Sequence, residues 1–146
     1  RPKMRDTIDS ILLRNSFKSN GERKIAEFLD RYKISFNYEP SVLVKSGGYD
    51  RIWYPDFGLP KYSMFIEYFG MENNHGYNEG TKNKLSVYGD NDIDVIPVFP
   101  KHLRSDYGKY ILDEIYKRTS SKLYDIERRV ISYHNSNKPL FYSKKW

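Results

Sequence analysis

Cysteine is missing from all 146 residues. That excludes a disulfide framework, a thiolate nucleophile and a Cys-ligated zinc site, and it fits an intracellular protein. No apolar run approaches the roughly 18 residues of a membrane span and no secretory leader is visible, so no membrane partner is expected. Internal repeats, low-complexity stretches and long linkers are also lacking. Without a Gly-rich phosphate loop or a Gly-x-Ser-x-Gly elbow, NTPase and serine-hydrolase chemistry has no residues to carry it. His75, in the polar run Asn73-Asn74-His75-Gly76, has no His or Cys at ligand spacing and reads as a surface-loop residue. Asp90, Asp92 and Asp94 fall short of a calcium loop, whose twelfth-position Glu is missing. The chain opens at Arg1 rather than Met, as expected of a trimmed protein or a domain cut from a longer one.

What is present suits one domain, long enough to bury a core without staples. The 14 tyrosines supply core volume and also stacking surface for bases. The net charge of +6 is unevenly placed. Residues 1–51 hold 11 Lys/Arg against 7 Asp/Glu, residues 52–100 hold 3 against 7, and residues 101–146 hold 11 against 5. An acidic centre between basic flanks is the pattern of a metal site in a phosphate-binding groove, and also of ordinary solvated charge.

Residues 6–14 suit a short helix. Ser19-Asn20-Gly21-Glu22 is a capping box that starts a second, with Ile25, Phe28, Leu29 and Tyr32 at helical spacing. Short strands are expected at Ile34–Tyr38 and Val42–Val44, then at Arg51–Phe57 and Tyr62–Phe69, with turns at Gly47-Gly48 and Gly58–Pro60. A helix over Tyr77–Tyr88, a strand over Ile93–Phe99 and two amphipathic helices follow. Pro97 marks a bulge or a sheet edge. This order predicts an α/β fold with a mixed central sheet flanked by helices. The expected layout is a core over about 19–118, a C-terminal helix at 119–134, and a basic tail at 135–146, free or in contact with a partner.

Three acids stand out. Glu67 lies inside the apolar strand Met64-Phe65-Ile66-Glu67-Tyr68-Phe69, where an unpaired charge is too costly to bury. It must be neutralised, paired or bound to a cation, and no basic residue lies within that strand. Asp56, in Tyr54-Pro55-Asp56-Phe57, lies one hairpin away; as a turn residue it has a purely local reading as well. Together the two can converge on Mg²⁺, which takes one or two acids, waters and phosphate oxygens. Glu22 closes the capping box, yet it also leads the core-facing stripe and can approach such an ion through a water. For a cation, Lys84 shares a helix face with Tyr77, Thr81 and Tyr88, while Lys82 is turned away by about 200°. Lys84 also has a bland reading, as a side chain running outward along the aromatic stripe. The trio reads as a divalent-metal site in a nuclease.

At these residues the chain resembles the PD-(D/E)XK nuclease superfamily, of restriction-endonuclease-like fold, over roughly residues 19–100. The segments Gly21-Glu22…Ile25-Ala26-Glu27-Phe28-Leu29, Phe36-Asn37-Tyr38-Glu39, Tyr54-Pro55-Asp56-Phe57 and Ile66-Glu67-Tyr68-Phe69-Gly70 look most like helicase-associated and very-short-patch-repair-like nuclease domains. The resemblance implies a Mg²⁺-dependent DNA endonuclease in which Mn²⁺ can substitute. Asp56, Glu67 and the Tyr68 carbonyl would hold the ion, Glu22 would assist, and Lys84 would stand in for the motif lysine, whose usual place is taken by Phe69. Arg23, Lys24, Lys82, Arg128 and Arg129 would hold the DNA backbone. A Holliday-junction or branched-DNA resolvase of the same fold, acting as a homodimer, fits too. So does a catalytically inactive DNA-binding or assembly module, which the Phe69 departure favours. A helicase or recombination protein is the implied partner.

Overall fold

The computed structural model describes residues 17–71 and 75–145, so the expected helix at 6–14 lies outside the described residues. The chain divides into two compact units, one ending at Ile111 and the other beginning at Leu112.

In the first unit, helix α1 spans Asn20–Arg31 and starts where Ser19 Oγ accepts the Glu22 N–H at 3.1 Å. Ile25, Ala26, Phe28 and Leu29 form its buried face, while Tyr32, just past the last turn, is exposed. Strands β1 (Asn37–Tyr38), β2 (Val42–Ser46) and β3 (Tyr49–Trp53) follow. Gly47 and Gly48 both take positive φ, +61° and +81°, which a two-residue hairpin turn between β2 and β3 requires.

The strand expected from Arg51 to Phe57 is in fact two. After β3 the chain leaves the hairpin, passes Pro55, which has no N–H to give a ladder, and enters the main sheet as β4 (Phe57–Leu59). The turn expected at Gly58–Pro60 falls later. Gly58 and Leu59 pair with Phe65 and Met64 of β5 (Met64–Tyr68), and the chain reverses over Pro60–Ser63.

The main sheet is mixed, in the order β1-β4-β5-β6, and β2-β3 forms a separate two-stranded sheet. The three pairs are antiparallel, antiparallel and, between β5 and β6 (Val95–Val98), parallel. Helix α2 (His75–Asp90) makes the crossover that a parallel pair needs. It begins two residues ahead of Tyr77, so His75 opens a helix instead of sitting in a loop. Strand β6 is an edge, where Pro97 is tolerated. The protein is therefore mixed α/β, with a mixed sheet flanked by helices.

Phe57, Leu59, Met64, Ile66, Ile96 and Val98 fill the sheet's part of the core, joined by Ile25 and Leu29 of α1. A second cluster, Val44, Tyr88 and Val95 with Trp53 and Leu85 against it, seats the β2–β3 hairpin on α2. Asn91 fastens that hairpin: its Oδ1 accepts the Lys45 N–H at 2.8 Å and its Nδ2 donates to the Lys45 carbonyl at 3.1 Å.

A short helix, α3 (Pro100–Leu103), leads to α4 (Tyr107–Lys145). The two expected C-terminal helices are one helix, which also runs on through the segment read as a tail. Thr119-Ser120-Ser121 interrupts the apolar spacing but contains no Gly or Pro, and without a stop signal the helix continues. Beyond Leu112 this helix is the second unit, with Glu114 paired to Lys117 at 2.7 Å and to Arg118 at 3.0 Å. No helix among the described residues is long and apolar enough to cross a membrane.

Candidate active site

The β4–β5 register explains why the Asp56–Glu67 spacing matters. Phe57 pairs with Ile66, so one further rung sets Asp56 opposite Glu67 and Tyr68 opposite Pro55. Regular pairing stops there because of Pro55, and the Asp56 side chain takes over. Its Oδ2 accepts the Tyr68 N–H at 2.7 Å, while its carbonyl accepts the Glu39 N–H from β1 at 2.8 Å. Asp56 thus closes the end of the sheet beside Glu67.

Glu22, Asp56 and Glu67 are all buried, at 6, 9 and 5% exposure. Glu67, which has no base in its own strand, is paired from α2. The Lys84 ammonium bonds to its Oε2, and the Tyr88 hydroxyl donates to its Oε1 at 2.8 Å. Lys84 lies 5.9 Å from the centre of the Trp53 ring and does not run outward. Thr81 and Tyr88 are buried on the same side of α2 and Lys82 is exposed, as the helical spacing requires.

Glu22 departs from the reciprocal capping box. Ser19 caps the helix, but Oε1 of Glu22 accepts the Tyr38 hydroxyl at 2.5 Å instead of turning back. Tyr38 in turn accepts the Lys18 N–H at 3.3 Å, and the Lys18 ammonium pairs with Glu39. Gly21 permits the approach of α1. A Cβ there would collide with Cε2 and Cζ of the Tyr68 ring, and one on Gly70 would lie 3.1 Å from the same Cε2. The ring is held between the two glycines.

The charges are coupled. Burial pushes the Asp56 carboxyl up to about 7; the Tyr68 N–H and Lys84 act against this, and the charges of Glu22 and Glu67 add to it. Burial and the Glu22 bond raise the Tyr38 phenol, and burial and the Glu67 charge raise that of Tyr88. Both phenols therefore stay protonated and act as donors. The Lys18 ammonium is raised chiefly by its bond to Glu39, with Glu22 and Asp56 also contributing.

No protein family, curated protein or solved structure matches this chain.

The structure brings Glu22, Asp56, Glu67 and Lys84 into one electrostatically coupled group. Tyr38, Tyr88, Trp53 and Lys18 join it without having stood out in the sequence. Tyr38 and Tyr88 lay in segments already singled out, while Trp53 and Lys18 gave no signal. Arg23 stacks 5.7 Å over the Phe17 ring, and Lys24 and Lys82 are exposed. Arg128 and Arg129 are exposed in the second unit, where Arg128 stands 5.7 Å over the Tyr124 ring.

Among the described residues, no three His, Asp or Glu side chains form a ready-made metal cage. A Mg²⁺ site built from two carboxylates, a backbone carbonyl and waters needs none. The donor set suits such an ion on charge. Among the described residues Lys84 pairs with Glu67 and Lys18 with Glu39, and burial first, then the charges of Glu22 and Glu67, raise the Asp56 carboxyl.

Proposed function

We propose that the protein is a Mg²⁺-dependent DNA endonuclease of restriction-endonuclease-like fold, working inside the cell and accepting Mn²⁺ in place of Mg²⁺. The observation that carries this reading is that Glu22, Asp56 and Glu67 are all buried, that Asp56 feels the charges of the other two, and that Lys84 of the crossover helix bonds to Glu67. Asp56 and Glu67, with the Tyr68 carbonyl, would hold the ion. When bound, it would supply charge to the phosphorus centre and lower the pKa of water. Glu22, oriented by Tyr38, would assist through a water. Lys84, bonded to Glu67, would orient the attacking water or the scissile phosphate. Arg23, Lys24 and Lys82, with Arg128 and Arg129 of α4, hold the DNA backbone.

Plasmid cleavage with Mg²⁺ tests this. Wild-type protein is expected to nick or linearise the DNA, while Asp56→Ala and Glu67→Gln leave it supercoiled. Equal cleavage by all three removes the site.

One observation favours a second reading, a DNA-binding module without activity. Both Glu67 oxygens already have donors, Lys84 and Tyr88, and Phe69 stands where a strand lysine is usual. Such a module would retard DNA in a gel and leave every strand intact with Mg²⁺ or Mn²⁺.

A further inference from the structure

From Tyr116 to Tyr133 the second unit presents an exposed helix whose side chains repeat every seven residues. Tyr116, Leu123 and Val130 form one row. Thr119, Ile126 and Tyr133 form the other, in alternating steps of three and four. The five apolar members are each at least half exposed. A period of 3.6 would let such a stripe drift around the helix. A strict seven keeps it in line only when the helix winds with left-handed twist about another helix.

We propose that α4 pairs with the α4 of a second copy of this chain, as a parallel, in-register, two-stranded coiled coil. The Tyr116 row occupies the a positions and the Thr119 row the d positions. Charge selects the occupant and its direction. Lys122 and Arg129 flank the seam at g, and Glu127 flanks it at e. In a parallel pair each g residue faces the e residue five positions on in the other copy, so Lys122 meets Glu127 twice, once on each side. An antiparallel pair would instead set g against g, bringing Lys122 and Arg129 together as like charges. The ion pairs within the helix, Glu114 with Lys117 and Arg118, lie off the seam and leave it clear. The inference does not rest on the nuclease reading: the stripe contains none of the residues assigned to the metal, and it shares with the assigned DNA contacts only Arg129 at its edge.

Sedimentation equilibrium on the full chain tests it. The mass is expected to rise from the 17.5 kDa of one chain toward twice that value as concentration approaches about 0.3 mM. Leu123→Lys, present in both helices of a pair, should raise the dissociation constant about 100-fold. Ser121→Lys, on the opposite face, should leave it unchanged, with circular dichroism checking that both variants keep their helix. The chain has no cysteine, so Thr119→Cys and Tyr133→Cys each supply a single thiol. Parallel pairing predicts that both variants cross-link under mild oxidation. Cross-linking of only one overturns the parallel arrangement. A wild type that stays monomeric throughout, or a Ser121→Lys effect as large as that of Leu123→Lys, overturns the pairing.

Discussion

At Asp56 the sheet's geometry and its electrostatics pull against each other. The Tyr68 N–H favours the carboxylate, yet burial and two neighbouring acids favour its protonated form. Because its folded pKa, about 7, lies above the ordinary carboxyl value of 3.8, the folded state holds this proton more tightly than the unfolded chain does. Its stabilising contribution is complete below about pH 4 and is lost as pH rises toward 7, by roughly 4 kcal/mol at most. Urea titrations without metal should therefore show stability falling between pH 4 and 7, and Asp56→Asn should flatten that slope. Mg²⁺, which favours the carboxylate, should raise the melting temperature more at pH 8 than at pH 5. Tyr38 acts on Glu22 through one charge-assisted bond. Tyr38→Phe removes the hydroxyl and keeps the ring, so a stability loss of about 1–2 kcal/mol in denaturant titration is expected. If Glu22 needs that orientation, DNA turnover should fall with it while DNA affinity holds.

Helix α1 meets the sheet through a glycine. Gly21→Ala would drive a methyl group into the Tyr68 ring, displacing both the start of α1 and the residue whose N–H engages Asp56. Overpacking of this kind costs about 1–3 kcal/mol, so a clear drop in melting temperature is expected, together with lost cleavage. Elements of this sort are only partly legible in sequence. Glu67 and Glu22 stand out because a charge at an apolar position of a period-2 or period-3.6 pattern is conspicuous, and Lys84 follows from the same helical count. Tyr38 and Tyr88 do not stand out, since a tyrosine in an apolar run reads as core until tertiary structure supplies an acceptor for its hydroxyl. The break between β3 and β4 depends on which sheet each half joins, and local propensity carries no such information. Likewise Thr119-Ser120-Ser121 weakens the apolar pattern without a residue that stops a helix, so two expected helices are one.

Over the whole molecule, positive charge flanks an acidic middle. If DNA is the ligand, affinity should fall linearly with salt on logarithmic axes, the slope reporting the number of phosphates neutralised. Lys24→Ala should reduce that slope by about one, with no change in sequence preference. A slope unaffected by such substitutions would point away from the basic flanks as the contact surface. The position of Lys84 on α2 has one more consequence. Glu67 is anchored by the β5–β6 ladder and Asp56 by its bonds with Glu39 and Tyr68, whereas their counter-charge is borne by a crossover whose grip on the hairpin runs through Val44, Trp53 and Asn91. Undocking that crossover would strip the ammonium from the acids while the rungs of the sheet stayed intact, at a lower free-energy cost than unfolding the sheet.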